Sequence, residues 1–525
     1  MTACAESTEF VAAAARKRPP KGGKKERRAA SQFARRDFDA LDELLDGAVD
    51  LVRRWTADSV GDRHPIFPDM DGVDLKKRLH EPLPTRGRSA RSLLRQVERD
   101  LVPFLRDSGN PRFFGYVQSP PSAAGIAGDL LASAFGQNLT SWRSAPAATE
   151  IERLVIDWLR QIARLPAAAG GLLTSGGSMA TFIALSVART THAPPETVRG
   201  GLGKLGRRLM TLYVSDQGHM SVPRAAELLG LGTGAIRIIP SDHRFRMDPT
   251  ALDRAITEDK KNGHIPFCVT ASAGTVNTGA IDPLARIARI THRHGLWLHV
   301  DAAYGGPLAL SPRYRPLLAG LGQANSITLD PHKWLYAPMD VGCVLFRDGN
   351  AARATYATAG DYATVFETGG REAFAFFDHG PELSRRWRAL KVWLLLKYHG
   401  TQRLARRIEE EVELAHHMAG RLQNEDEIEL VAPTETSIVC FRYVPVALRF
   451  QTPSPEEKLD RLNEDLLLAL QRGGRVYLSN ARLGGRFALR ACLINFRTTR
   501  THVETTIREV LAEGRRQAQK MGLPG

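Results

Sequence analysis

Apolar residues at Phe38, Leu41, Leu44, Leu45, Val49 and Val52 recur at helical spacing. They predict an amphipathic helix from Phe38 to about Trp55, with acids early and Arg53 and Arg54 late. A second helix is predicted over 90–107, and the proline-punctuated segments HPIFPDMDG and EPLPTRG connect the two. Two more helical patterns run through GDLLASAF and ATEIERLVIDWLRQIARL, the latter with Pro146 just before it and Thr149 as its cap. The rhythm then changes to strand, loop, helix. Short apolar runs at Leu209–Val214, Ile265–Ala271, Leu296–Val300, Ile327–Leu329 and Gly342–Phe346 read as strands, with helices such as Pro283–His292 between them.

That alternation predicts an α/β fold with a mostly parallel sheet covered by helices on both faces. From Glu382 a long helix, LSRRWRALKVWLLLKYHG, leads into an α+β region. It has a helix over 401–423, strands near 428–443, a helix over 455–472, strands near 475 and 488, and a closing helix from Thr501. The expected division is a basic tail 1–36, a helical N-terminal segment 37–121, a large α/β domain 122–390 and a smaller α+β domain 391–525. No internal repeat is visible.

The chain of 525 residues is long enough for two or three domains and has the apolar content to fold them. Its net charge of +15 invites a nucleic-acid reading until it is located. Residues 16–36 alone hold ten Lys/Arg against Glu26, in a Pro/Gly/Ala-interrupted stretch without hydrophobic period. More than half of the excess therefore belongs to a tail expected to be disordered, and no specific nucleic-acid partner is expected. The five cysteines are scattered without metal-binding spacing, so reduced thiols, no disulfide and no metal are expected. No run is long enough to cross a membrane and no signal peptide is evident, so a cytoplasmic location follows.

The candidate chemistry sits where strands end. In SITLDPHKW, Lys333 follows a short strand and Asp330, at the sheet edge where open α/β folds bind ligands. A lysine partly desolvated there has a lowered pKa and can form a Schiff base with a carbonyl. In LLTSGGSMATFIALSV, Gly176, Gly177 and Ser178 open a helix whose free N–H groups suit an anion. The segment lacks nucleotide-binding spacing. Asp301 in WLHVDAAYGG ends another strand, where it could hold a protonated ring nitrogen, cap a helix or bind Mg. Ala302 and Ala303 leave room for a flat ring, His219 in SDQGHMS could stack on it, and Thr275 follows a further strand. An anion cradle, a carboxylate for a pyridinium, a stacking imidazole and a Schiff-base lysine together describe pyridoxal 5'-phosphate.

From about residue 40 to its end the chain resembles the group II pyridoxal phosphate-dependent amino acid decarboxylases, the aromatic-L-amino-acid and glutamate decarboxylase family. The motifs that carry the likeness are NPRFFGY, GDLLASAF, SAPAATE, TSGGSMAT, SDQGHMS, ASAGTVNTGAID, HVDAAYGG, DPHKW, ELSRRWRALKVW and ALRACLINFRTT. The resemblance implies fold type I, with 37–121 as a dimerisation segment and 122–390 as the cofactor domain. It implies a homodimer with sites at the subunit interface, Lys333 as the Schiff-base lysine, Asp301 on the pyridine nitrogen and His219 on the ring. Gly177, Ser178, Thr275, Ala303, Asp330 and His332 would surround the cofactor, and Tyr116, Ser119, Thr140 and Arg490 the substrate. Some members have Asn where Asp330 stands, and an acid there would repel a phosphate unless it points away. Tyr362, in YATAGDYATVFE, matches the lid tyrosine of decarboxylating members, a proton donor replaced by phenylalanine in those that make aldehydes.

The expected reaction is decarboxylation of an L-amino acid to the amine and carbon dioxide. Aromatic-specific members carry bulky residues where this chain has Ser108, Val117 and Thr140. An aromatic substrate is still expected, because Tyr116, Pro120 and Trp142 remain and the pocket segments show no extra cation for a second carboxylate. Acidic or aliphatic amino acids, and aldehyde synthesis, are the alternatives. A silent binding protein with this fold would lack Lys333, Asp301 or His219, and none is missing.

Overall fold

A computed structural model of the chain describes residues 32–61, 63–357, 374–449, 451 and 455–523. They fall into two units, one made of the chain up to His64 with Met70–Leu105, the other of Pro65–Asp69 with Arg106–Gly525.

The first unit is helical. Helix α1 (Gln32–Val60) is longer at both ends than its apolar period predicts and includes Arg35 and Arg36, so the last residues of the expected tail are helical. Helix α2 (Gly72–Leu79) is capped by Asp71, which accepts from the N–H groups of Val73 and Asp74. Helix α3 (Ala90–Gln96) does not run to 107. It loosens into a π turn over Val97–Leu101 and a 3-10 turn over Val102–Phe104, where Pro103 has no N–H to continue the ladder.

In the second unit, α4 (Ala123–Phe135) and α5 (Pro146–Ile162) precede the sheet. Pro146 is the first residue of α5, a position where its missing N–H costs nothing. Thr149 is not the cap: it lies inside the first turn with its hydroxyl on the Ser141 carbonyl. The sheet comprises β1 (Gly170–Thr174), β2 (Met210–Ser215), β3 (Ile236–Ile239), β4 (Ile265–Ser272), β5 (Trp297–Asp301), β6 (Ser326–Leu329) and β7 (Gly342–Phe346), in the order β1-β7-β6-β5-β4-β2-β3. Only β7 runs against its neighbours, so the mostly parallel α/β prediction holds.

Helix α6 (Gly177–His192) follows β1 and buries Ala180, Ile183, Ala184, Leu185 and Val187. After β2 comes α7 (Ser221–Leu228), after β3 α8 (Pro249–Lys261), and after β4 α9 (Leu284–His294). Near-continuous burial of β2, β4, β6 and β7 is what a sheet covered on both faces requires.

Helix α10 (Ala389–Gln423) leaves helical geometry at Gly400, which divides it where the sequence separates one helix from the next. Beyond it, β8 (Ile428–Leu430), β9 (Ile438–Tyr443), β10 (Ser479–Leu483) and β11 (Arg486–Cys492) form an antiparallel sheet in the order β10-β11-β9-β8. It packs with α11 (Glu456–Arg472) and α12 (Arg500–Lys520) around a core of leucines, valines and the aromatic rings of Phe441, Tyr443 and Phe487.

Residues 106–121 do not go with the N-terminal helices, although the sequence division places them there. Their backbone docks on the small sheet: Phe114 N–H donates to the Tyr477 carbonyl at 2.8 Å, and its carbonyl accepts from Cys492 N–H at 2.9 Å. Phe113, Ile66 and Tyr477 close a buried cluster beside it.

Candidate active site

The turn after β6 presents Lys333. Its N–H donates to the Asp330 carbonyl at 2.9 Å, and its carbonyl accepts from Ser119 Oγ at 2.6 Å. Lys333 Nζ lies 2.9 Å from Asp330 Oδ2, and His332 Nε2 lies 3.7 Å from the same oxygen. Burial pulls the lysine amine down, but Asp330 and then Asp301 outweigh it and hold the amine above its ordinary value. The expected lowering is therefore overturned in the free chain: two carboxylates outdo desolvation.

Asp330 does not turn away from the anion cradle. A Cβ on Gly177 would stand 2.7 Å from its Oδ2, and its Oδ1 is buried without a hydrogen-bond partner. The glycine thus lets the carboxylate approach the positive end of α6. The first helical bond of α6 runs from Ala180 N–H to the Gly176 carbonyl, so the N–H groups of Gly177, Ser178 and Met179 have no acceptor within the helix. Ser178 is exposed at this first turn, and His332 Cε1 lies against Gly176.

Asp301 ends β5, with Oδ1 accepting from Ala303 N–H at 3.1 Å; Ala302 and Ala303 are buried beside it. The His219 ring interacts electrostatically with Asp301, Lys333 and Asp330, which gathers the four groups beyond the carboxyl ends of β2, β5 and β6. Burial, ahead of these charges, lowers its affinity for a second proton. Its Nδ1 accepts from Ser221 N–H at 3.2 Å, so in the neutral ring the proton sits on Nε2. Thr275 is buried, with its hydroxyl 3.0 Å from that of Thr278.

Arg490, on β11, is buried. Its Nη1 donates to the Tyr116 carbonyl at 2.9 Å and to Ser479 Oγ at 3.0 Å, and its Nε to the Asn277 carbonyl at 3.2 Å. Its Nη2 is buried with no partner, an unused cationic donor. Tyr116 takes a left-handed φ of +55° and places its ring beside Phe113 and Tyr477. The Arg106 guanidinium stands 4.9 Å from the centre of that ring and bonds Gln118, so a cation does adjoin the aromatic segment, contrary to the sequence expectation. Thr140 bonds the Leu383 carbonyl and Asn138, and no contact ties it to Lys333. Tyr362 lies outside the described residues.

Sequence reasoning missed Asn277, whose carbonyl also accepts from Cys440 Sγ at 3.1 Å, and Ser221, which fixes the His219 tautomer. Ser221 was discoverable, two positions past the histidine at a helix start. Asn277 holds Arg490 across two sheets, and no local signal marks it.

The cradle at α6, the small side chains of Ala302 and Ala303, the Asp301 carboxylate and the Lys333 amine fit pyridoxal 5'-phosphate, and the orphan Arg490 donor suits a carboxylate. An α/β chain with this set of strand-end groups defines a vitamin B6-dependent enzyme of the type I fold. The chain belongs to the pyridoxal-dependent decarboxylase family, whose conserved domain matches residues 73–444. It is a pyridoxal phosphate-dependent carboxy-lyase.

An aromatic-L-amino-acid decarboxylase of Bacillus atrophaeus is 35% identical over 90% of this chain and 93% of its own length. A phenylacetaldehyde synthase of a Rosa hybrid cultivar is 31% identical over 84% and 88%. The crystal structure of Oryza sativa TDC with PLP and tryptamine matches at a TM-score of 0.83 and 29% identity, over 91% of this chain and 98% of that one.

Proposed function

We propose that this protein decarboxylates an aromatic L-amino acid to its amine and carbon dioxide, with Lys333 as the lysine that carries pyridoxal 5'-phosphate. The observation that carries the reading is the convergence of Lys333, Asp330, Asp301 and His219 beyond the carboxyl ends of β2, β5 and β6. Likeness to a decarboxylase of aromatic amino acids supports the substrate class.

When bound, the cofactor supplies the electron sink for the pair left behind by departing carbon dioxide. The N–H groups of Gly177 and Ser178 would hold its phosphate, with Thr275 and His332 nearby. Asp301, oriented by Ala303 N–H, would keep the ring nitrogen protonated. His219, with Nε2–H, would lie on the ring. Asp330, whose ionised carboxylate can only accept hydrogen bonds, suits Lys333 and His332 better than a phosphate, and would hold the lysine side chain in place. Arg490 Nη2 would receive the substrate carboxylate, beside Tyr116 and Ser119. Tyr362 would return a proton to the carbon that lost the carboxylate.

We further propose a cytoplasmic homodimer with its sites at the subunit interface and 37–121 contributing to dimerisation. Leu130, Leu131 and Phe135 on α4 leave an exposed apolar face that such a partner would cover. Among the described residues no helix is long and apolar enough to cross a membrane.

Two alternatives rest on specific observations. Likeness to a phenylacetaldehyde synthase favours aldehyde formation, and Arg106 over Tyr116 favours a substrate with a second anionic group. The deciding experiment assays carbon dioxide, amine, aldehyde and peroxide over all twenty amino acids, for the parent and for Tyr362→Phe. The reading predicts amine from aromatic substrates, and a shift towards aldehyde in the variant. Preference for glutamate or aspartate, or mostly aldehyde and peroxide from the parent, overturns it.

A further inference from the structure

Behind the turn that presents Lys333, α10 carries Glu411, a carboxylate with no solvent exposure. Its Oε2 accepts from Trp334 Nε1 at 2.5 Å and from Tyr336 OH at 2.8 Å, and its Oε1 from Arg407 Nε at 3.2 Å. Trp334 and Tyr336 are the first and third residues after Lys333. Both rings are also gripped from other sides. Trp334 stacks parallel on Tyr304 with centroids 4.9 Å apart, and Tyr336 meets Phe496 edge-on at 5.3 Å.

The turn needs such a hold. Tyr336 has a left-handed φ of +62°, a backbone conformation that a bulky side chain rarely adopts. Its N–H donates to the Lys333 carbonyl at 3.2 Å, so the strained residue and the lysine share one turn.

We propose that Glu411 is a positioning residue for Lys333: by anchoring Trp334 and Tyr336 it holds the strained turn that fixes the lysine amine, and its charge state sets how firmly that turn keeps the cofactor. The inference rests on the reading of Lys333 as the cofactor lysine.

Burial pushes the Glu411 carboxyl up to about 7, against the pull of Arg407 and of the Tyr336 and Trp334 donors. The charged and titratable groups that face the cluster are Arg407 and Glu410 on α10, Tyr336 and Lys333 on the turn, and Cys492 on β11. Burial, then Glu411, drives Tyr336 well above its ordinary value, and burial pushes Cys492 up to about 11. Neither changes charge near neutrality. Arg407 also donates to Glu410 Oε2 at 2.9 Å and to the Asn495 and Thr498 carbonyls, so it keeps its place when Glu411 takes a proton. Because burial in the closed turn raises this carboxyl, the closed turn holds a proton that an opened, hydrated one gives up, and it is held less firmly as pH rises through the Glu411 value.

The test compares parent, Glu411→Gln and Tyr336→Phe as full-length chains, with and without pyridoxal phosphate, about one pH unit below and above the Glu411 value. Hydrogen exchange of the peptide spanning 330–341 and the rate of cofactor release are the readouts. In the parent, both are expected to quicken by about tenfold, beyond the intrinsic pH effect, as Glu411 ionises. Glu411→Gln loses that step, Tyr336→Phe releases cofactor about tenfold faster than the parent below it, and in both borohydride still fixes cofactor to Lys333. Parental exchange and release in Glu411→Gln overturn the proposal; should that variant not fold, parental behaviour of Tyr336→Phe does so. If no cofactor is fixed at Lys333 in the parent, the lysine reading fails instead, and exchange of the cofactor-free chains still decides the role of Glu411.

Discussion

Lys333 and Asp330 are paired across one turn, Nζ to Oδ2 at 2.9 Å, with the lysine side chain 22% exposed and the aspartate 2%. Asp330 reaches this position because Gly177 offers no side chain where its carboxylate lies. One residue type at the start of α6 thus decides the proton affinity of an amine at the end of β6. Burial alone would lower that amine, and Asp330, with Asp301 behind it, raises it.

Replacing Asp330 with Asn should let burial prevail, so that the Lys333 amine falls and more of it is free base at neutral pH. Each unit of fall increases that fraction about tenfold. The rate at which the cofactor-free chain captures pyridoxal phosphate, followed by absorbance across pH, should rise at neutrality. An unchanged pH dependence would show that Asp330 does not govern the amine.

Asp301→Ala removes the carboxylate proposed to keep the ring nitrogen protonated. Loss of a partner from a buried ion pair costs about 3–5 kcal/mol; if the transition state bears it all, kcat falls roughly 10²- to 10⁴-fold. The check is kcat at saturating cofactor, with cofactor affinity measured separately. A kcat within a few-fold of the parent would exclude this role.

Arg490→Met deletes the unpartnered Nη2 donor. A hydrogen bond to a charged group contributes about 1.5–3 kcal/mol, so KM for the amino acid should rise roughly 10- to 100-fold. Affinity for the product amine, which has no carboxylate, should change little. Equal weakening of both ligands would show that Arg490 only supports the fold.

Arg385 and Glu152 form a buried pair at 2.5 Å, and the arginine also donates to the Leu139 and Leu173 carbonyls. Glu152 accepts from Leu173 N–H at 3.1 Å, which ties α5 to β1. Arg385→Ala strands the carboxylate and should destabilise the chain by about 3–5 kcal/mol in urea titration. A loss below about 1 kcal/mol would contradict this, being the range of exposed pairs.

Asp282 is buried, accepting from the N–H groups of Ser272 and Met247, and burial pushes its carboxyl up from 3.8 to about 6. Folding therefore takes up a proton between those values, and this group's contribution to stability falls as pH rises through that window. Thermal melts of parent and Asp282→Asn across it should show a shallower fall in the variant. Identical slopes would place the proton elsewhere.

The strands that carry the chemistry were legible because burial on both faces leaves continuous apolar runs, as in β4 and β7. β1 and β3 were not. β1 opens with Gly170 and Gly171, which give no apolar signal, and β3 is a short edge strand with Ile238 exposed. Lys333, Asp301 and His219 could be read because each stands beside a strand end with a chemically specific neighbour. Glu411 and Asn277 could not, since their partners are far along the chain and a lone acid on a helix resembles any solvated face. The orientation of Asp330 was open for a similar reason: it depends on how close α6 and β6 lie, a tertiary distance.

The central claim is that Lys333 carries the cofactor, and borohydride reduction of the pyridoxal phosphate-loaded chain followed by peptide mass mapping tests it most directly. The account predicts one stable pyridoxyl adduct, on Lys333 within the peptide that contains SITLDPHKW, and none in Lys333→Ala. An adduct on another lysine in the parent, or no adduct in a protein that still releases carbon dioxide from amino acids, would contradict it.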